Sequence, residues 1–177
     1  MQESSISGDG QRYSRVGNLL YRVDGGGLYL DKMGKVTINQ KSKFKNLKGR
    51  NGGAIYINND RPSTIALNAD VGSQRFARVL VNDVTIENCE AEFNGGAIYL
   101  NNPMNVQIQS NRMHFNTAAD EGGAIYYDCD PSDIDLLVSR GTPCRLVVDG
   151  NEFEGNLAQV GGAIRWNYLE MIIPNGE

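Results

Sequence analysis

Apolar and polar residues alternate along this chain in short runs. In GGAIYI, residues 52–57, Ile55 and Ile57 fall on one face of an extended strand, and Ala54 and Tyr56 on the other. KVTINQ sets Val36 and Ile38 on one face, and NVQIQSN does the same with Val106 and Ile108. A third kind of segment ends in KFKN, HFNT or EFEGN. Gly, Asn and Asp, the residues of tight turns, stand between the runs. The pattern predicts three short strands per unit, and the unit is too poor in helix formers for a helical solenoid.

The unit repeats. NGGAIYI (Asn51 to Ile57) returns as NGGAIYL (Asn94 to Leu100) and EGGAIYY (Glu121 to Tyr127), with looser copies DGGGLYL (Asp24 to Leu30) and VGGAIRW (Val160 to Trp166). Its glycine pairs are Gly25 and Gly26, Gly52 and Gly53, Gly95 and Gly96, Gly122 and Gly123, and Gly161 and Gly162, with the first glycines 27, 43, 27 and 39 residues apart. The basic period is 27 residues, and two units carry insertions of 16 and 12, near 58–80 and 128–147. Fixed-period self-similarity marks a repeat architecture. Three short strands per period predict one triangular coil of a parallel β-helix. About five coils then form one domain over residues 1–177, stacked at about 4.8 Å per coil.

Stacking gives the repetition a physical cause, because like positions lie above one another. Leu28, Ile55, Ile98, Ile125 and Ile164 form one inward column, and Leu30, Ile57, Leu100, Tyr127 and Trp166 a second. The glycine pair supplies positive φ or close backbone approach at a corner that each coil turns. Asn tolerates the same backbone region and can bond its stacked neighbour. A phosphate-binding loop is the functional alternative for a Gly-rich stretch, but no copy is followed by a helix or by the Lys-Ser/Thr of a P-loop.

The repeats carry a resemblance. Phe153-Glu-Gly-Asn156 followed by Gly161-Gly-Ala-Ile164 resembles the FxxN and GGAI repeat of chlamydial polymorphic membrane proteins. Phe44-Lys-Asn46 and Phe115-Asn116 match in part, and Ile86 replaces the Phe in IENCEAEFNGG. The resemblance implies a pectate-lyase-like, right-handed parallel β-helix, all-β, and a secreted or cell-surface module that is adhesive or structural. One fold hosts many functions, so a second expectation stands beside it, a polysaccharide lyase or hydrolase on the same scaffold.

Composition narrows the partners. The chain has 177 residues, 40% of them hydrophobic and 21% charged, with no apolar run long enough to span a membrane. Met1 is followed by QESSISGDG, without the basic start and apolar stretch of a secretory signal, as also in a mature product or an excised piece. Residues 1–50 hold 10 Lys/Arg and 4 Asp/Glu, and the rest hold 7 and 17, so a positive first segment faces a negative remainder. The basic residues lack interleaved aromatics, which argues against nucleic acid. After Gly161 less than one period remains and no polar cap is visible, so a slice of a longer solenoid is expected. Its ends would be covered by flanking coils of the same protein or by neighbouring subunits, head to tail.

Candidate chemistry is sparse, and the expectation is a chain without catalysis, cofactor or metal. Acids cluster only in DCDPSDIDLL, where Asp128, Asp130, Asp133 and Asp135 are either a calcium loop or a solvated turn. His114 has no Cys or His partner at zinc-site spacing and no nucleophile paired with it by any motif. Cys129 and Cys144 flank the second insertion and are either a disulfide that ties down that loop or two free thiols; Cys89 is then a buried thiol. The outward face is richer. Tyr29, Tyr56, Tyr99 and Tyr126, then Arg165, form a column beside a lane of small residues, Gly27, Ala54, Ala97, Ala124 and Ala163. Stacked Tyr either steady neighbouring strands or offer a docking strip for a protein or a sugar polymer.

Overall fold

The computed structural model describes residues 5–7, 13–16, 19–31, 35–58, 78–101, 105–129 and 145–167. Each copy of the repeat gives one strand to a single five-stranded sheet: β4 (Leu28–Asp31), β8 (Ile55–Asn58), β12 (Ile98–Asn101), β16 (Ile125–Asp128) and β19 (Ile164–Asn167). Neighbours are parallel and in register, so Leu28, Ile55, Ile98, Ile125 and Ile164 form one column. A second parallel sheet stacks β5 (Lys35–Ile38), β9 (Arg78–Asn82), β13 (Asn105–Gln109) and β17 (Arg145–Asp149). A third stacks β1 (Ser5–Ser7), β6 (Lys43–Lys45), β10 (Thr85–Glu87), β14 (Arg112–His114) and β18 (Glu152–Glu154).

Two findings depart from the pattern. Each regular coil has a fourth segment, β7 (Lys48–Gly49), β11 (Glu90–Ala91) and β15 (Thr117–Ala118), which is two residues long and too short to show alternation. β2 (Tyr13–Val16) and β3 (Leu19–Arg22) pair antiparallel, and among the described residues no other coil holds a counterpart that self-similarity would reveal.

The core is the set of inward columns. Ile55, Ile57, Ile98, Leu100, Ile125 and Tyr127 are fully buried, as are Val79, Val81, Val106 and Ile108 of the second sheet and Ile86 and Met113 of the third. Burying each such side chain contributes about 1.5–3 kcal/mol. Trp166, expected inward, is 47% exposed and meets Tyr127 edge to face, because it belongs to the last described coil and no described coil covers it.

Both insertions fall between a strand of the first sheet and a strand of the second. β8 joins β9 across residues 59–77, and β16 joins β17 across 129–144. The edges of the expected insertions, Asn58, residues 78–80, Asp128 and residues 145–147, are strand residues. Between those edges, all the inserted residues except the buried Cys129 lie outside the described ones.

The two glycines of each pair do different work. The first has φ between 63° and 67° in all five copies, and a Cβ there would collide with the carbonyl of the residue three positions on, Ile125 in the case of Gly122. The second meets the next coil. A Cβ on Gly26, Gly53, Gly96 or Gly123 would collide with the carbonyl oxygen of Gly53, Gly96, Gly123 or Gly162 respectively. Corner carbonyls also take two donors. Ala97 O accepts from both Ala54 N (3.0 Å) and Ile55 N (2.9 Å), so the strand begins at Ile55 and the alanine is still in the corner. Ala54, Ala97 and Ala124 are therefore fully buried, and the expected lane of small residues beside the tyrosines is not a surface feature.

Candidate functional site

The outer face of the first sheet carries the tyrosine column. Rings of Tyr29 and Tyr56, Tyr56 and Tyr99, and Tyr99 and Tyr126 lie 5.1, 5.0 and 5.0 Å apart, at interplanar angles of 2°, 9° and 20°. The spacing is that of parallel strands, so the pleat itself sets the stack. Exposure falls along it, from 51% at Tyr29 to 6% at Tyr126. Tyr126 is thus not part of an open strip, contrary to expectation. Asn167 hydrogen-bonds it, and Arg165, next in the column, is held 3.3 Å from Glu121 Oε2. Burial raises the ionisation of the Tyr99 and Tyr126 hydroxyls above the ordinary tyrosine value, with the charge of Asp128 adding to it.

On the outer face of the third sheet, charges pair between coils. Lys45 Nζ lies 2.5 Å from Glu87 Oε2, and Arg112 Nε lies 3.3 Å from Glu152 Oε2. Lys48 pairs with Glu90 at 2.6 Å on the adjoining segment. His114 and Glu154 are register partners, and His114 Nε2 lies 3.5 Å from Glu152 Oε1. Ligand atoms of His114, Glu152 and Glu154 all fall within 4.8 Å of one another, the one group among the described residues that could hold a metal ion. The sequence could not show it, because β14 and β18 are brought together only by the coil. Arg112 competes for Glu152, and both glutamates are exposed, so the group also serves as the end of an ion-pair ladder. Of the four aspartates proposed for calcium, Asp128 accepts from Asn167 Nδ2 at 3.2 Å; Asp130, Asp133 and Asp135 lie outside the described residues.

Asparagines run up the interior and the edges. Asn116 is fully buried; its Nδ2 donates to Ile86 O (3.0 Å) and Asn156 Oδ1 (3.0 Å), and its Oδ1 accepts from Cys89 N (3.0 Å). Asn111 does the same with Val81 O, Asn151 Oδ1 and Val84 N. The register corrects the sequence alignment here. Phe44, Ile86, Met113 and Phe153 share the inward position, so the unit reads Met113-x-x-Asn116 as it reads Phe153-x-x-Asn156. Phe115 is instead a corner residue with φ 55°, 52% exposed, where other coils place Asn46, Asn88 or Gly155. An outer ladder joins Asn58 to Asp31 and Asn101 to Asn58, each at 2.8 Å.

Cys89 is a free, buried thiol whose ionisation is pushed up to about 11, chiefly by burial. Cys129 is disulfide-bonded, and Cys144 lies outside the described residues.

Parallel strands that wind through successive sheets, coil upon coil, make a parallel β-helix. The chain belongs to the right-handed β-helix family, whose model, a right-handed beta helix region, matches residues 4–164. Comparison with curated proteins and with solved structures yields no match. No helix among the described residues is long and apolar enough to cross a membrane.

Proposed function

We propose that this chain is a non-catalytic structural and interaction module of a larger extracellular or cell-surface protein, of the polymorphic-membrane-protein kind that its repeats resemble. The observation that carries the reading is how the outward groups are used. The Lys45, Lys48, Arg112 and Arg165 charges are paired with glutamates of adjoining coils, and the amides of Asn58, Asn101 and Asn167 bond their neighbours along the stack. Side chains committed to holding coils together serve a scaffold. The run from the exposed Tyr29 to the half-buried Tyr56 and Tyr99 supplies a flat contact strip for a protein segment or a polysaccharide, since aromatic rings join apolar faces to wet rims. Binding of the folded chain to a panel of acidic and neutral polysaccharides and surface proteins, with product release followed in parallel, tests this. Retention without cleavage is expected, weakened in a Tyr29→Ser, Tyr56→Ser double variant.

The His114, Glu152 and Glu154 group favours the alternative, a polysaccharide lyase or hydrolase. Release of products that Glu154→Gln abolishes would replace the module reading with that one.

A further inference from the structure

The last glycine pair lacks what the others have. At Gly26, Gly53, Gly96 and Gly123 the missing Cβ makes room for the next coil's carbonyl. At Gly162 a Cβ would meet only Asn156 O, at 3.6 Å among the described residues, and the residue is exposed where Gly53, Gly96 and Gly123 are buried. Its φ is not in the left-handed region either, so nothing within the described coils requires glycine there.

The amides beside it lack a described acceptor in the same direction. In the coil below, Gly122 N, Gly123 N and Ala124 N donate to Val160 O (2.9 Å), Gly161 O (3.1 Å) and Ala163 O (2.8 Å). Their counterparts Gly161 N, Gly162 N and Ala163 N have no acceptor among the described residues. The inward columns open at this end as well. Leu146, Phe153 and Ile164 are only partly buried, and Val148, Leu157, Val160 and Trp166 are four of the seven exposed large hydrophobics among the described residues.

The other end of the molecule is the complement. Carbonyls of Asn51, Gly52 and Ala54 accept from Gly25, Gly26 and Gly27, but those of Asp24, Gly25 and Gly27 receive no described donor. Tyr29, at the head of its column, is exposed. The charge split adds to the match: residues 1–50 hold 10 Lys/Arg and 4 Asp/Glu, and the rest hold 7 and 17.

We propose that the Gly161–Gly162–Ala163 corner is a coil-addition site for a second copy of this chain, stacked head to tail. The partner's β4 lies over β19 and its β1 over β18, continuing the same ladders. Asp24, Gly25 and Gly27 carbonyls of the added copy fill the three open amides, and its Gly26 carbonyl enters the space above Gly162. Leu28 then covers Ile164, Leu30 covers Trp166, and Tyr29 takes the register position over Arg165 that Arg165 takes over Tyr126. Such an interface is heterologous and does not close on itself, so it generates a growing series. The proposal deepens the module reading and rests on it.

Sedimentation at low salt tests it with two variants. Gly162→Val fills the open space and blocks the C-terminal end; Tyr29→Lys sets like charge against the partner's Arg165 and blocks the other. The wild type is expected to give a concentration-dependent series of species, weakening as salt rises. Each variant alone should stay monomeric, and an equimolar mixture should give a single 1:1 dimer and nothing larger. Thermal unfolding provides the control: Gly162→Val should melt with the wild type, whereas Gly123→Val should fail to fold. A wild type monomeric at every concentration overturns the proposal, as does a mixture that forms no dimer. A Gly162→Val chain as unstable as Gly123→Val also overturns it, because the space would already be filled within one copy, for instance by residues 168–177. Monomers that still bind a polysaccharide or surface protein would leave the module reading standing.

Discussion

At the residue scale the fold depends on a few polar side chains placed where backbone alone cannot complete the ladder. Asn116 replaces a carbonyl that the left-handed corner at Phe115 turns away, and it satisfies Cys89 N and Ile86 O in the buried interior. Removing one partner of a buried hydrogen bond leaves the other stranded at about 1–3 kcal/mol. Asn116→Ala is therefore expected to lower unfolding stability by roughly 2–4 kcal/mol in denaturant titration. Phe115→Asn should act the other way. A bulky residue in the left-handed region costs about 1–2 kcal/mol, and Asn visits that region readily. A gain near 1 kcal/mol, with the fold unchanged by circular dichroism, is the expected outcome. Neither position was legible from spacing. The Phe of HFNT looks like the Phe of EFEGN, and only the strand register shows that Met113 takes its place.

At the scale of elements, the strand that follows each glycine pair was the most legible part of the chain, because its copies stack position for position. Ile55, Ile98 and Ile125 are buried in one column as their identity across the copies implies. Alternation failed one residue earlier, at the alanines, because a corner carbonyl serves two amides and the strand has not yet begun. It places Tyr126 on the outer face correctly but does not show its burial, because Glu121, Arg165 and Asn167 surround the ring there. The antiparallel pair of β2 and β3 has no second copy among the described residues to betray it. The tyrosine column makes a pH prediction. The Tyr99 hydroxyl is harder to ionise in the folded chain than in the unfolded one, chiefly through burial. The unfolded state therefore releases its proton first, and the contribution is full below the ordinary tyrosine value, about 10. Stability should fall as the pH rises past that value, and the alkaline loss should be smaller in Tyr99→Phe. Equal alkaline loss in the variant would remove Tyr99 as its cause.

At the scale of the whole molecule, a solenoid turns sequence position into height, so its two ends differ in chemistry. Among the described residues one end presents carbonyls and the other amides, and partly exposed apolar side chains gather at the amide end. Bare strand edges recruit further strands. This polarity follows from the parallel ladder, while the specific complement depends on Gly162, whose absent side chain serves no purpose in the coils described. From sequence alone, Gly162 was one more copy of a motif. Its meaning appears only when the preceding four copies show what the second glycine accommodates.

Residue-resolved amide exchange, in dilute solution and again at high concentration in low salt, tests the stacking of coils through the glycine corner most directly. Amides of Gly122, Gly123 and Ala124 should be slow in both conditions, since each donates to the coil above. Those of Gly161, Gly162 and Ala163 should be fast in the dilute monomer and slow once copies associate. Fast exchange at Gly122–Ala124, or slow exchange at Gly161–Ala163 in the dilute monomer, would contradict the account.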